Sequence, residues 1–353
     1  MNFISDNTAG ASPRVMAALA AANDGPASGY GSDDWTKRVE ARLSALFERE
    51  VAAFLVTTGT AANALALASV VRPWGAIITH EESHIVEDEC GAPEFFSDGA
   101  KLVDLPGIGG KLTPEAVTRA LGNLNEGSFH NVQAQALSIT QATECGTIYT
   151  PAEVRALKEA VTARRLTVHM DGARFANALV TLGCTPAEIT WKAGVDVLSF
   201  GGTKNGAWAV EAVVFFDPAQ AEEMKWRRKR AGQTLSKGRF LGAQFEALLA
   251  DDHWLDLARH ANAQAKRLAD ADAAGNGADA RLAWPSQANE VFLILPAATQ
   301  QRLEAAGVRY HSWPGRSLAP DNALREGEIV GRFVMSFATD PADVERLIAA
   351  IAG

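Results

Sequence analysis

Cysteine is scarce. The three present, Cys90, Cys145 and Cys184, are widely spaced, form no CxxC pair and have no histidine partner at metal-ligand spacing, so neither a disulfide framework nor a metal site is expected. Long apolar runs are missing too: none approaches a membrane span, and the N-terminal MNFISDNTAGASPRVM lacks the charged start and continuous apolar core of a secretory signal. A cytoplasmic protein without a membrane partner is expected. Positive charge is also in deficit, with 33 Lys and Arg against 42 Asp and Glu for a net charge of -9, which disfavours nonspecific binding to nucleic acid. The local exception is the basic stretch KWRRKR at 225–230.

What is abundant is core material. The 353 residues are 47% hydrophobic and 21% charged, enough for two domains. Apolar runs alternate with helical periodicity over the first two thirds, which points to an α/β fold with a mostly parallel sheet covered on both faces. Strands are expected at 51–56, 76–79, 101–105, 134–139, 166–170, 195–200 and 212–216. Asp33 or Asp34 is placed to cap a helix whose inward stripe is Val39, Leu43, Leu46 and Phe47; a helix follows TTGTAAN, and Thr113-Pro114 and Thr150-Pro151 open two more. Long amphipathic helices are expected from Pro218, an exposed connection at 271–280 (ADAAGNGADA), strands at 290–295 and 332–337, and a last helix from Pro341 to about Ile351.

Four spots carry candidate chemistry. Lys204, in SFGGTKNGA, follows an apolar strand-like run, and glycines let the backbone curve around it; a desolvated lysine there has a lowered pKa and can form a Schiff base with an aldehyde cofactor. A surface lysine in a glycine turn is the plain alternative. Asp171, in HMDGARFANA, stands at a strand end where a carboxylate can hold a pyridine nitrogen protonated, and Arg174 can meet a carboxylate with two parallel hydrogen bonds. The pair can equally be a structural salt bridge. Gly59-Thr60, between a strand and a helix expected to begin near Ala61, offers free N–H groups and a hydroxyl to a phosphate, although an ordinary helix cap reads the same way; the junction is neither GxGxxG nor GxxxxGK[ST]. His84, in THEESHIVEDECGA, can stack on a planar ring and exchange protons near neutrality, with Glu89 as its support; otherwise it is one more polar residue beside a solvated acidic face. Trp191, Trp208, Trp226 and Trp313 are read as packing rather than as a side-chain pocket.

In order along the chain (SDNTAG, YGSDD, TGTAAN, SH, DGAR, TK and a basic stretch) these motifs resemble the low-specificity L-threonine aldolases, pyridoxal-phosphate enzymes of fold type I in the aspartate-aminotransferase superfamily. The resemblance runs over nearly the whole chain, strongest from Ser5 to Phe216. It implies a large cofactor-binding domain (1–250) with a mostly parallel seven-stranded sheet, a small α+β domain (251–353), and residues 1–14 placed to pack on the small domain. It also implies that Lys204 is the Schiff-base lysine, Asp171 the partner of the pyridine nitrogen and His84 the stacking residue, with Gly59 and Thr60 at the phosphate and Arg174 and Thr203 among the cofactor-binding residues. Ser5, Arg174 and Arg332 match the carboxylate ligands. Tyr30 and Asp33 fall in a segment that approaches the active site near the subunit interface and are expected to contact substrate, and Arg228 and Arg230 are expected to help bind phosphate, across subunits in a homodimer or homotetramer.

One departure stands out. Many relatives carry Glu-Asn-Thr-His-Asn-Gly where this chain has QATECGT at 141–147, so Glu144 replaces a histidine and the identity of the catalytic base (His84, Glu144 or water) does not transfer. The expected reaction is cleavage of L-threonine, L-allo-threonine or related β-hydroxy-α-amino acids to glycine and an aldehyde. A phenylserine aldolase, another fold type I lyase or aminotransferase, and a noncatalytic binding paralogue are the alternatives.

Overall fold

The expected strands form one sheet. In the computed structural model, which describes residues 1–273 and 280–353, they are β1 (Ala52–Val56), β2 (Gly75–His80), β3 (Lys101–Leu105), β4 (Gln133–Thr140), β5 (Thr167–Gly172), β6 (Val197–Gly201) and β7 (Glu211–Phe215), in spatial order β1-β7-β6-β5-β4-β2-β3. The run from β6 to β3 is parallel, and β7 is antiparallel to both β6 and β1. β2, β6 and β7 are buried along their whole length, as strands covered on both faces must be. The parallel strands direct their C-terminal ends to one edge, the usual location of ligand sites in open α/β sheets.

A second sheet, in order β10-β11-β9-β8, joins β8 (Arg281–Leu282), β9 (Glu290–Leu295), β10 (His311–Trp313) and β11 (Ile329–Val334), all antiparallel. It packs on the helix Pro341–Ala352 and on the C-terminal part of the helix His253–Ala273, with Leu268, Leu293, Phe333 and Leu347 in its core. The N-terminal Phe3 enters this same core: its N–H bonds the Arg309 carbonyl and its carbonyl accepts from Val334 N–H. The helix His253–Ala273 buries Trp254 and Ala258 in the large core and Ala265 and Leu268 in the small one, so a single rod of about 30 Å ties the two cores together.

Three expectations are corrected, and a fourth lies mostly outside the described residues. The helix at TTGTAAN starts inside the motif, at Gly59, because the Thr58 side chain caps it by accepting the Ala61 N–H. After Pro218 the chain forms a 3₁₀ turn (Pro218–Ala221) and two modest helices, Met224–Arg230 and Arg239–Leu249, before the one long helix; Gly232 at φ 72° ends the first of these. The last strand runs Ile329–Val334, since a turn held by Thr339 Oγ1 on Ser336 N–H takes the chain away three residues earlier than its apolar pattern suggests. The connection expected at 271–280 falls mostly on residues outside the described ones, and Ala271 to Ala273 still belong to the long helix.

Candidate active site

Lys204 is delivered by the turn after β6. Gly201 ends that strand where a Cβ would lie 2.6 Å from the Ala173 carbonyl oxygen, and Gly206 holds φ at 99°, a conformation that favours glycine. The turn packs against the end of β5, which carries Asp171, and the short loop that follows it to Arg174. Burial and the neighbouring Arg174 charge hold the Lys204 amine below the usual lysine range, despite the opposing pull of Asp6 and Asp171.

From the centre of the site a hydrogen-bonded chain leads through Asn63 to the histidine. Asp171 accepts the Asn63 amide (2.7 Å) and the Ala173 N–H (2.9 Å), and the same amide donates to Glu89 (2.8 Å), whose Oε1 lies 2.9 Å from His84 Nδ1. That contact with Glu89 raises the His84 pKa against the effect of burial. Beneath Asp171, His169 is wedged between Ser138 (2.9 Å) and Ser199 (3.0 Å), and burial lowers it to about 4, so it stays neutral. On the far side, Glu144 Oε1 accepts the His84 N–H (2.8 Å) and the Thr140 hydroxyl (2.9 Å), while Oε2 is buried without a partner. Burial first, and Asp171 second, push this carboxyl up to about 7.

Opposite the histidine lies an open helix N-terminus. Thr58 occupies the N–H groups of Ala61 and Ala62, leaving those of Gly59 and Thr60 without an intrahelical acceptor. The space beside Gly59 is free, since a Cβ there would meet no atom within 4 Å. The loop is steadied from the basic segment: Thr57 donates its N–H (3.0 Å) and hydroxyl (2.8 Å) to Gln233, whose carbonyl accepts from Arg228 (3.3 Å).

Arg174 is both a structural and a cavity residue. Its Nε (2.8 Å) and Nη2 (3.1 Å) form a fork onto the buried Asp6 carboxylate, and Nη1 lies 3.3 Å from Glu290, which Arg332 grips from behind at 2.7 and 3.0 Å. Burial works against the ionised Asp6, yet Arg174, Lys204 and Arg332 keep its pKa below the carboxylate norm.

These groups surround one cavity of about 510 Å³, within the range of small-molecule sites. On its wall stand Gly59, Thr60, His84, Glu144, Asp171, Arg174, Thr203 and Lys204. The other expected residues are not on the wall. Ser5 caps a 3₁₀ turn by accepting the Asn7 N–H, Asp33 caps the helix Asp34–Leu46, and Arg332 is engaged with Glu290. Tyr30 and Arg230 are exposed. Of the four tryptophans only Trp208 reaches the cavity, and it is 66% exposed. Not singled out from the sequence were Asn63, Asp6, Glu211 and Glu290. Two of them carried a legible signal, because Glu211 and Glu290 each open a strand that is otherwise apolar and wholly buried.

The family model described as Beta-eliminating lyase matches residues 2–297. The chain belongs to this family. Low specificity L-threonine aldolases resemble this chain along its length: that of Pseudomonas aeruginosa is 43% identical, over 98% of this chain and 95% of the relative, and that of a second Pseudomonas strain is 42% identical over 99% and 96%. Among solved structures, a threonine aldolase from Leishmania major superposes with a TM-score of 0.90 at 29% identity, covering 99% of this chain and 98% of that one. The α/β fold expected from the sequence, a seven-stranded sheet with a small second domain, is the one observed.

The donor set fits pyridoxal phosphate. A buried amine with a lowered pKa is available for the aldehyde, a buried carboxylate for the ring nitrogen, an imidazole for the ring face and two open N–H groups with hydroxyls for the phosphate.

Proposed function

We propose that this lyase cleaves L-threonine, L-allo-threonine and related β-hydroxy-α-amino acids to glycine and an aldehyde, using pyridoxal phosphate. The observation that carries the reading is the convergence of Lys204, Asp171, His84 and the Gly59-Thr60 N-terminus on one cavity, in a chain matched end to end by low specificity L-threonine aldolases. When bound, the cofactor supplies an electron-withdrawing ring that takes up the pair released as the Cα–Cβ bond breaks.

The protein's part is attachment, alignment and proton handling. Lys204, its pKa lowered by burial and by Arg174, would supply the amine for attachment, Asp171 would accept from the ring nitrogen and hold its proton, and the His84 imidazole, steadied by Glu89, would cover the ring face. Arg174 gives two donors to Asp6 and has others left for a substrate carboxylate, with Arg332 acting through Glu290 to hold the guanidinium in position. Glu144 is the base for the β-hydroxyl. Its Oε2 has no partner and its pKa lies near neutrality, the condition for efficient proton abstraction, whereas His84 is biased by Glu89 toward its cationic form.

The active unit is an oligomer. Tyr30, Trp208 and Trp226 are large apolar side chains left 60–66% exposed, and the basic helix Met224–Arg230 does not reach its own cavity, which suits an arginine donated across an interface. Incubation of the protein and pyridoxal phosphate with L-threonine, L-allo-threonine and phenylserine tests the reading: glycine with the matching aldehyde is expected, and a keto acid as the main product would refute it. Trp208 at the cavity mouth favours measurable turnover of phenylserine as well.

A further inference from the structure

Glu211 is a buried acid that the proposed chemistry leaves unused. It is 6% exposed, opens β7, and is paired in register with Val56 at the end of β1 and with Gly201 at the end of β6. It therefore stands between the two loops that flank the open helix N-terminus, Thr57 to Thr60 on one side and Gly202 to Lys204 on the other. Its Oε2 accepts the Gly202 N–H at 2.7 Å, which ties it to the lysine turn, and its side chain forms part of the cavity wall. Two other acids share that wall among the described residues, and both belong elsewhere: Asp171 is on β5, and Glu144 follows β4.

We propose that Glu211 faces the cofactor's phosphate as a neutral carboxylic acid, so that binding of the phosphate takes up one proton from water onto the Glu211 carboxylate. The inference rests on the cofactor reading above. A phosphate seated on the Gly59 and Thr60 N–H groups is close to dianionic at neutral pH, and a carboxylate facing it in a buried pocket would repel it, whereas the acid form has an O–H to donate. Burial alone already moves the Glu211 carboxyl up to about 7, against Lys204 and the hydrogen bonds from Thr203 and Gly202, all of which favour ionisation. Among the described residues of its own chain, the strands and the helix that pack against β7 bring Glu211 no charged side chain. The segment Thr57 to Thr60 and the helix Gly59–Val70 contain no titratable side chain, the helix Arg239–Leu249 contributes the neutral Gln244 to the adjoining Trp208 and Ala209 N–H groups, and the lysine turn contributes Lys204.

The test uses the full chain freed of cofactor and two probes: pyridoxine 5'-phosphate, which has an alcohol in place of the aldehyde and cannot join Lys204, and pyridoxine, which lacks the phosphate. Affinities are measured by tryptophan quenching from pH 6.5 to 8.5, above the phosphate's own second ionisation near 6. For pyridoxine phosphate the wild-type affinity should fall with pH, at up to about tenfold per unit above about 7; pyridoxine should show no such fall. Glu211→Gln should bind pyridoxine phosphate with a flat profile and, at pH 8.5, more tightly than wild type. Lys204→Ala separates the other titrating group, and there the fall should persist, displaced to higher pH because the lysine charge is gone. Calorimetry of the wild type in two buffers of different ionisation enthalpy needs no variant and should record uptake of up to about one proton at pH 8. Equal profiles in wild type and Glu211→Gln, or no proton uptake by the wild type, overturn the inference while leaving the cofactor reading intact. Failure of pyridoxine phosphate to bind at any pH overturns both.

Discussion

Glu144, proposed as the base for the β-hydroxyl, owes that role to an uneven set of partners. The backbone N–H of His84 and the Thr140 hydroxyl saturate one oxygen and leave the other bare in a buried setting, so the carboxyl sits near pH 7 where a base is useful. Replacing it by glutamine keeps the shape and both hydrogen bonds to Oε1. Glu144→Gln should lower kcat for L-threonine by about 10²- to 10⁴-fold with cofactor absorbance unchanged, and the acid limb of the pH–rate profile near 7 should go with it; a variant that keeps both limb and rate would remove Glu144 from the reaction. The same carboxyl, with Glu211, also makes a prediction for stability. Both titrate near 4.5 when unperturbed and at about 7 in the fold, so between these values the folded chain holds more protons, and stability due to the neutral forms is lost as pH rises through that window. The difference in Tm between cofactor-free Glu144→Gln/Glu211→Gln and wild type should shift in favour of the variant from about pH 5 to 7 and level off above; a constant difference would mean that neither group is displaced.

At the scale of elements, the site is a set of strand ends and helix starts, and its legibility followed from that. Lys204, Asp171 and the Gly59-Thr60 junction could be read because each sits where an apolar run stops, a boundary visible in one dimension. Asn63 could not be read: it is a polar residue inside an alanine-rich helix, and only the packing of that helix against β5 brings it to Asp171 and Glu89. Asp6 was missed for a related reason, since its partner Arg174 is far away in sequence. The strand at 332–337 went wrong because the apolar pattern runs on through Val334-Met335, while the Ser336–Thr339 turn that ends it is a side-chain effect. The cap of the helix Gly59–Val70 gives this scale its own test. Thr58→Ala should cost about 1 kcal/mol of stability in denaturant unfolding, and it should weaken pyridoxal phosphate binding as well, because the freed Ala61 N–H no longer fixes the first turn; loss of stability with unchanged affinity would separate the cap from the cradle.

Across the whole molecule, the N-terminal segment joins the two cores at the active site. Phe3 is buried among Phe333, Leu268 and Leu347 in the small core, Asp6 three residues on is held by Arg174 and Asn289, and Ser12 N–H bonds the Gly206 carbonyl in the lysine turn. Glu290 and Arg332 come to the same point from the small sheet, so the guanidinium proposed to meet the substrate carboxylate is positioned by three parts of the chain at once. Phe3→Ala should therefore cost about 3–5 kcal/mol and raise KM for the amino acid more than it lowers kcat; an altered stability with an unaltered KM would show that the strap is only structural. The central claim is narrower than any of these, namely that the Lys204 amine carries the cofactor. Reduction of the loaded protein with borohydride followed by peptide mapping tests it most directly: a pyridoxyl group is predicted on Lys204 alone, and its absence there, or its presence on another lysine, would contradict the account.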